Sequence, residues 1–154
     1  TGQNNGDHKF LEQLIADGQI KPMSLDDKAW AIFEKLTTTK RSLDDGEAAT
    51  IALSATNTFR PVLDDLKGRS QAKDIIGEQV IGWSLDLFLH PYVQEYLGKE
   101  DFVEAIYLAL RHGRMRIDKE RCDAIIELIG QDRAIHCTSL PGFKERQKAW
   151  GNQS

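Results

Sequence analysis

The chain is short of cysteine, of long apolar runs and of positive charge. Its 154 residues include two cysteines, Cys122 and Cys137. Two thiols give no disulfide framework, and reduced thiols inside a cell are the expectation. Cys137 stands beside His136, but no pair has the close C-x-x-C spacing, which weighs against zinc. The longest apolar run is Ala105–Leu110, far below the ~18 residues of a membrane span. The opening residues lack a secretory pattern, so a cytoplasmic protein without a membrane is expected. A net charge of −4 argues against a strongly cationic nucleic-acid binder. No P-loop, no G-x-G-x-x-G and no Ser–His–Asp or Cys–His nucleophile arrangement is present. The first residue is Thr1 rather than Met, within a polar "TGQNNGDHK"; further residues upstream are expected.

What is there suits one soluble domain with a real core: 40% hydrophobic and 29% charged residues. Charge is uneven. Residues 1–110 carry 11 Lys/Arg against 18 Asp/Glu, and residues 111–154 carry 9 against 6. The basic end suits phosphate, although a solvated mixed surface explains it as well.

Periodicity places the elements. Residues 1–7 read as disordered. Phe10, Leu11, Leu14 and Ile15 have helical spacing with Gly18 as a stop. "QIKPM" reads as a short edge strand. Ser24 is the expected N-cap of a helix whose face is Ala29, Ile32, Phe33 and Leu36. The letters "SLDD" recur at Ser42, before a helix with Ala48, Ile51, Ala52 and Ala55 on one face. "FRPVLDD" and "QVIGW" read as short strands around a helix "KGRSQAKDII". Helix alternating with strand predicts an α/β fold with a parallel sheet covered by helices. Beyond Trp83 the pattern is helical. Pro91 splits it. Phe102, Val103, Ile106, Ala109 and Leu110 form a helix closed by Gly113, and Asp118 caps another with Cys122, Ile125, Ile126 and Ile129 inward. These two helices predict a hairpin over 99–130, and 131–154 reads as loop and tail.

Carboxylates gather at two places. Asp44, Glu47 and Ile51 share a helix face, and Asp64 and Asp65 end a strand. In a parallel sheet, strand carboxyl ends face the crevice where ligands bind. One of the two aspartates should therefore approach the helix-borne acid. Carboxylates brought close repel unless a proton or a cation joins them, and hard oxygen donors suit Mg²⁺ or Mn²⁺. On spacing alone, caps and turns account for the same acids better than a metal site does.

The texts "LDDGEAATIALS", "PVLDD", "LKGRSQA" and "VIGW", in that order, resemble the DUF3368-type branch of the PIN-like ribonucleases, many of them toxin components of toxin–antitoxin pairs. "FLEQLIADGQIKPMSL" is similar to the helix and strand that precede this block. The likeness spans roughly residues 8–98. It implies a PIN-like three-layer α/β/α domain with a short parallel sheet, followed by the C-terminal helical hairpin. It also implies a pocket holding Mg²⁺ or Mn²⁺ that hydrolyses RNA phosphodiesters. Glu47 is then the helix-borne acid and Asp65 the strand-end acid, with Asp64 as its neighbour. Arg69 contacts phosphate or, as readily, pairs locally and holds the loop. Two departures stand out. The opening strand ending "D-T" or "D-S" is not found before Phe10, and Trp83 stands where the family has Thr. A catalytically incomplete PIN-like module acting through protein contacts is the alternative. The expected partners are RNA, an antitoxin, a complementary N-terminal segment or another copy in an oligomer.

Other residues read as follows. His90 is a helix-boundary residue. Arg111, His112, Arg114 and Arg116 form a basic turn that grips RNA or compensates a helix dipole. Trp30, Phe33, Phe88, Tyr92 and Phe102 are expected in the core.

Overall fold

The structure, a computed structural model, describes residues 4–40, 42–77 and 81–151, with 4–7 described for the backbone only. Its helices are α1 (Asn4–Ala16), α2 (Asp27–Thr38), α3 (Asp45–Thr56), α4 (Leu66–Ile76), α5 (Ser84–Phe88), α6 (Pro91–Arg111), α7 (Lys119–Ile129), α8 (Gln131–Ala134) and α9 (Phe143–Gly151).

The three-layer α/β/α architecture with a parallel sheet is not what the chain builds. Among the described residues the extended structure amounts to one isolated parallel bridge, Val62 to Gly82. The reason lies in how short the two segments are. Leu63 N donates to Gly82 O (3.1 Å) and Gly82 N to Pro61 O (2.8 Å). Pro61 has no N–H with which to extend the ladder. Asp65 then caps α4, and Ser84 begins α5 at once. A side chain takes the carbonyls around the bridge, including Gly82 O, which also accepts from Leu63 N. Arg69 Nη1 donates to Leu63 O (2.8 Å) and Gly82 O (2.7 Å), and Nη2 to Ile81 O (3.0 Å). The expected strand at "QIKPM" is an unpaired connection between α1 and α2, and Gln79 and Val80 of "QVIGW" lie outside the described residues.

The helices follow the sequence more closely. Both "SLDD" texts start helices, but the cap is the third letter rather than the serine. Asp26 accepts from Ala29 N and Asp44 from Glu47 N, both at 2.8 Å. A short carboxylate at this position satisfies an orphan N–H of the first turn. Pro91 opens α6 behind His90, which is its N-cap as expected, and α6 is broken at Gly98 (φ 72°, ψ 170°). Asp118 caps α7, and Gly130 closes it at φ 85°. Three expectations are corrected. Helix α1 begins at Asn4, inside the stretch expected to be disordered. Residues 131–154 carry α8 and α9 rather than loop and tail alone. Trp30 and Tyr92 are 50% and 77% exposed, not core, because each sits on the outer side of its helix; Trp30 stacks on Phe33 instead.

Two apolar clusters hold the fold. The smaller joins α2, α3 and α4 through Leu36, Leu43, Ala48, Ile51, Leu63 and Ala72. The larger runs from Leu85 to Leu140 through α5–α8, with Phe102, Ile106, Leu110 and Ile125 at its centre and the residues on both sides of Gly98 packed on it. The two thiols sit inside it, Cys122 against Pro141 O and Cys137 against Arg133 O. Helix α1 is the least packed element: Phe10, Leu11 and Ile15 stay 66%, 46% and 37% exposed.

Candidate functional site: an acidic cleft at the seam

The two clusters meet along an open cleft of ≈ 670 Å³. Its acidic wall comes from the smaller cluster and consists of Asp44, Glu47, Asp64 and Asp65; Lys67 stands beside them, and Arg114 and Arg116 face them from the larger cluster. Of the residues expected from sequence at the site, Glu47, Asp64, Asp65, Arg114 and Arg116 line this cleft, and Arg69 does not.

Each acid is held differently. Glu47 is the third residue of α3, within its first turn. Its carboxylate lies over α4 at Gly68, where a Cβ would come 3.0 Å from Glu47 Oε1. The glycine therefore lets α4 approach α3 and keeps room for this carboxylate. Burial, then the charges of Asp44 and Asp65, hold the Glu47 carboxyl above its ordinary range, against the opposing pull of Lys67 and Arg116.

Asp65 is the N-cap of α4. Its Oδ1 accepts from Lys67 N (2.8 Å) and Gly68 N (3.3 Å), and its Oδ2 accepts from Arg116 Nη1. Burial alone would raise this carboxyl. The two backbone N–H groups and the Arg116 guanidinium outweigh it, and the group is held below its ordinary range. Asp64 Oδ1 accepts from Ser84 N at the start of α5 (2.8 Å), which ties the acidic wall to the other half of the molecule. Here the "LDD" text is used in another register. In "SLDD" the first aspartate caps the helix. In "VLDD" the second does, and the first is left to reach α5.

The basic wall is set by alternation. Met115 and Ile117 are buried in the larger cluster, while Arg114 and Arg116 point outward between and beside them. Arg114 sits at φ 50°, which turns the chain after α6. Arg111 folds back on its own helix, donating to the Tyr107 hydroxyl (2.5 Å). Arg69 does not line the cleft. Its fork is spent on three carbonyls, and its guanidinium stacks on Trp83 at 3.8 Å from the ring centroid, so Trp83 serves packing.

Three features escaped sequence reasoning. Lys67 lines the cleft and donates to Ser42 O; its place two residues after the capping acid was the available signal. Ser84 contributes its N–H to Asp64. Asp86 accepts from Trp83 N (2.9 Å) and pairs with Arg121 (2.6 Å), which also holds Asp118 (2.5 Å). These partners lie up to 35 residues apart, and no local pattern announces them.

Among the described residues no group of three or more His, Cys, Asp or Glu stands together as a ready metal site. The donors present fit a hard divalent cation in kind. Two carboxylates, Glu47 and Asp65, line one cleft, and each charge works against the other. Mg²⁺ is commonly held by one or two carboxylates together with water and substrate phosphate.

No curated protein and no solved structure matches the chain. The family model DUF3368, a PIN domain, matches residues 1–131. That span contains the whole cleft, from Ser42 to Arg116. Among the described residues no helix is long and apolar enough to cross a membrane. The chain belongs to the DUF3368 family of PIN domains, and with it to the nuclease-type domains.

Proposed function

We propose that the protein is a metal-dependent endoribonuclease of PIN type, acting on RNA phosphodiesters at the acidic cleft, and that it serves as the toxin component of a toxin–antitoxin pair. The observation that carries this reading is the meeting of Glu47 and Asp65 on one wall of a cleft whose other wall is basic. Glu47 and Asp65 would hold Mg²⁺ or Mn²⁺, with Asp64 as the neighbouring acid. When bound, such a cation supplies an activated water and offsets charge on the phosphodiester. The chain's own residues do the rest. Gly68 keeps the Glu47 carboxylate at the cleft. The N–H groups of Lys67 and Gly68 orient Asp65. Lys67, Arg114 and Arg116 offer the strand's phosphates positive charge. The toxin role rests on the sequence likeness alone.

The test is cleavage of a labelled single-stranded RNA with Mn²⁺. The protein should cut, and Glu47→Gln and Asp65→Asn should each lose on the order of 100-fold or more, with unchanged circular dichroism. Wild-type cutting by both variants would sink the reading.

A second reading is favoured by one observation: both oxygens of Asp65 already have partners. In that case the protein is a catalytically incomplete PIN-like module that acts by protein contacts. It predicts no metal-dependent cleavage by any form of the chain.

A further inference from the structure

Arg116 occupies one oxygen of a cleft carboxylate. Its guanidinium takes Asp65 Oδ2, while Oδ1 is tied to two backbone N–H groups at the start of α4. Of the two oxygens, Oδ2 is the one whose partner can be exchanged without opening a helix. The pair is also placed to be broken. The side chains of Arg116 and Asp65 are 53% and 35% exposed, and exposed pairs of this kind hold weakly in water. The backbone beneath stays fixed, because Met115 and Ile117 anchor it in the larger cluster. Arg116 also borders a second, apolar pocket of ≈ 340 Å³ lined by Leu66, Trp83, Ile117 and Pro141, which can receive the aliphatic stem of a side chain that has let go. The arginine pair at the other end of the seam contrasts with it. Arg121 is 29% exposed and is shared by Asp86 and Asp118, so it is locked in place.

We propose that Arg116 is a resident counter-ion of the acidic cleft, competing with a divalent cation for Asp65 and released to an RNA phosphate. A planar guanidinium binds phosphate through two parallel hydrogen bonds. An incoming strand therefore offers Arg116 a new anion and opens Asp65 Oδ2 to the cation in the same exchange. Cation and RNA binding become positively coupled, and in the free protein Arg116 offsets the charge of Asp65. This rests on the nuclease reading for the identity of the two ligands.

The experiment reads Mn²⁺ binding directly, by electron paramagnetic resonance of the free ion, in the full chain. Arg116→Gln and Arg114→Gln each remove one positive charge from the same wall, so Arg114→Gln measures the general electrostatic effect. Arg116→Gln should tighten Mn²⁺ binding about 10-fold, and clearly more than Arg114→Gln. The gain should vanish when Asp65→Asn is added, as a double-mutant cycle reports. A short RNA should tighten Mn²⁺ binding in the wild type and do so less in Arg116→Gln. Equal effects of the two arginine variants, a gain that survives Asp65→Asn, or no Mn²⁺ binding by Arg116→Gln would each overturn the proposal. The two readings fail separately. A chain that never cuts RNA yet shows the Arg116→Gln gain loses the nuclease reading alone. A chain that cuts RNA without that gain loses the counter-ion alone.

Discussion

The half of the molecule that carries the acids and the half that carries the bases are built in different ways. Around α2–α4 the buried cluster has few members, with Ala48 and Ala72 among Leu36, Leu43, Ile51 and Leu63. Polar ties do much of the joining there: the caps at Asp44 and Asp65, and the Arg69 fork on three carbonyls. Around α5–α8 the core is larger and mixes aromatic with aliphatic side chains, among them Phe102, Ile106, Leu110, Ile125 and Ile129. The acids thus sit where helices approach closely on alanine and glycine, and the arginines sit on a short segment pinned to a thick core. Close approach lets Glu47 reach over α4, whereas anchorage lets Arg116 keep a mobile side chain on a fixed backbone.

Three measurements would break or sharpen that contrast. The largest effect is expected in the thick core. Ile106 is fully buried, and Ile106→Ala should cost about 2–5 kcal/mol, lowering Tm by roughly 4–20 °C. Ile51→Ala, equally buried, should cost less, because the cluster around it has fewer buried members and lies closer to the surface. Equal losses in urea titrations would erase the difference between the two cores.

The next effect tests the polar tie. Arg69→Met takes a donor from the carbonyls of Leu63 and Ile81, while Gly82 O keeps Leu63 N, and should cost about 1–3 kcal/mol. Arg69→Lys should not restore it, since one ammonium cannot span three carbonyls as the fork does. A lysine variant as stable as the wild type would show that the charge, not the fork, holds the two segments.

The smallest effect has opposite signs at the two acids. The folded protein holds the Glu47 proton more tightly than the unfolded chain does, so ionising Glu47 costs stability as pH rises through its folded-state value. The folded protein releases the Asp65 proton more readily, so Asp65 adds stability above the ordinary carboxylate range, and this is lost as pH falls through its folded-state value. At pH 7, Glu47→Gln should therefore raise Tm by about 1–3 °C and Asp65→Asn lower it by a similar amount. Both differences should shrink in melts at low pH. Shifts of the same sign would show that the two carboxylates do not sit in contrasting surroundings.

Much of this was legible in the sequence, and the failures share a cause. Spacings of three and four residues gave the helical faces. Pro91, Gly113, Asp118 and Gly130 marked their ends, since caps and stops act within one turn. The acids of the cleft were legible for the same reason. The sheet was not, because "PVL" and "VIG" look like strands locally and only their three-dimensional surroundings decide whether a ladder forms. Pro61, the prompt start of α4 and the Arg69 fork end it after one bridge. Helix α9 carries two large apolar contacts, Phe143 and Trp150, too few to set a period. The Arg116–Asp65 pair spans 51 residues, a distance at which composition predicts nothing.

The two thiols of the larger cluster turn its contrast with the smaller one into something a reagent can read. Burial pushes both Cys122 and Cys137 up from the ordinary thiol range, and the thiolate is the form that reacts. A thiol-specific dye should therefore label the folded chain slowly, at a pace set by how often the α6–α8 core opens. The α2–α4 half carries no cysteine and stays silent. The chain thus contains an internal clock for one of its two cores, without a residue having to be changed.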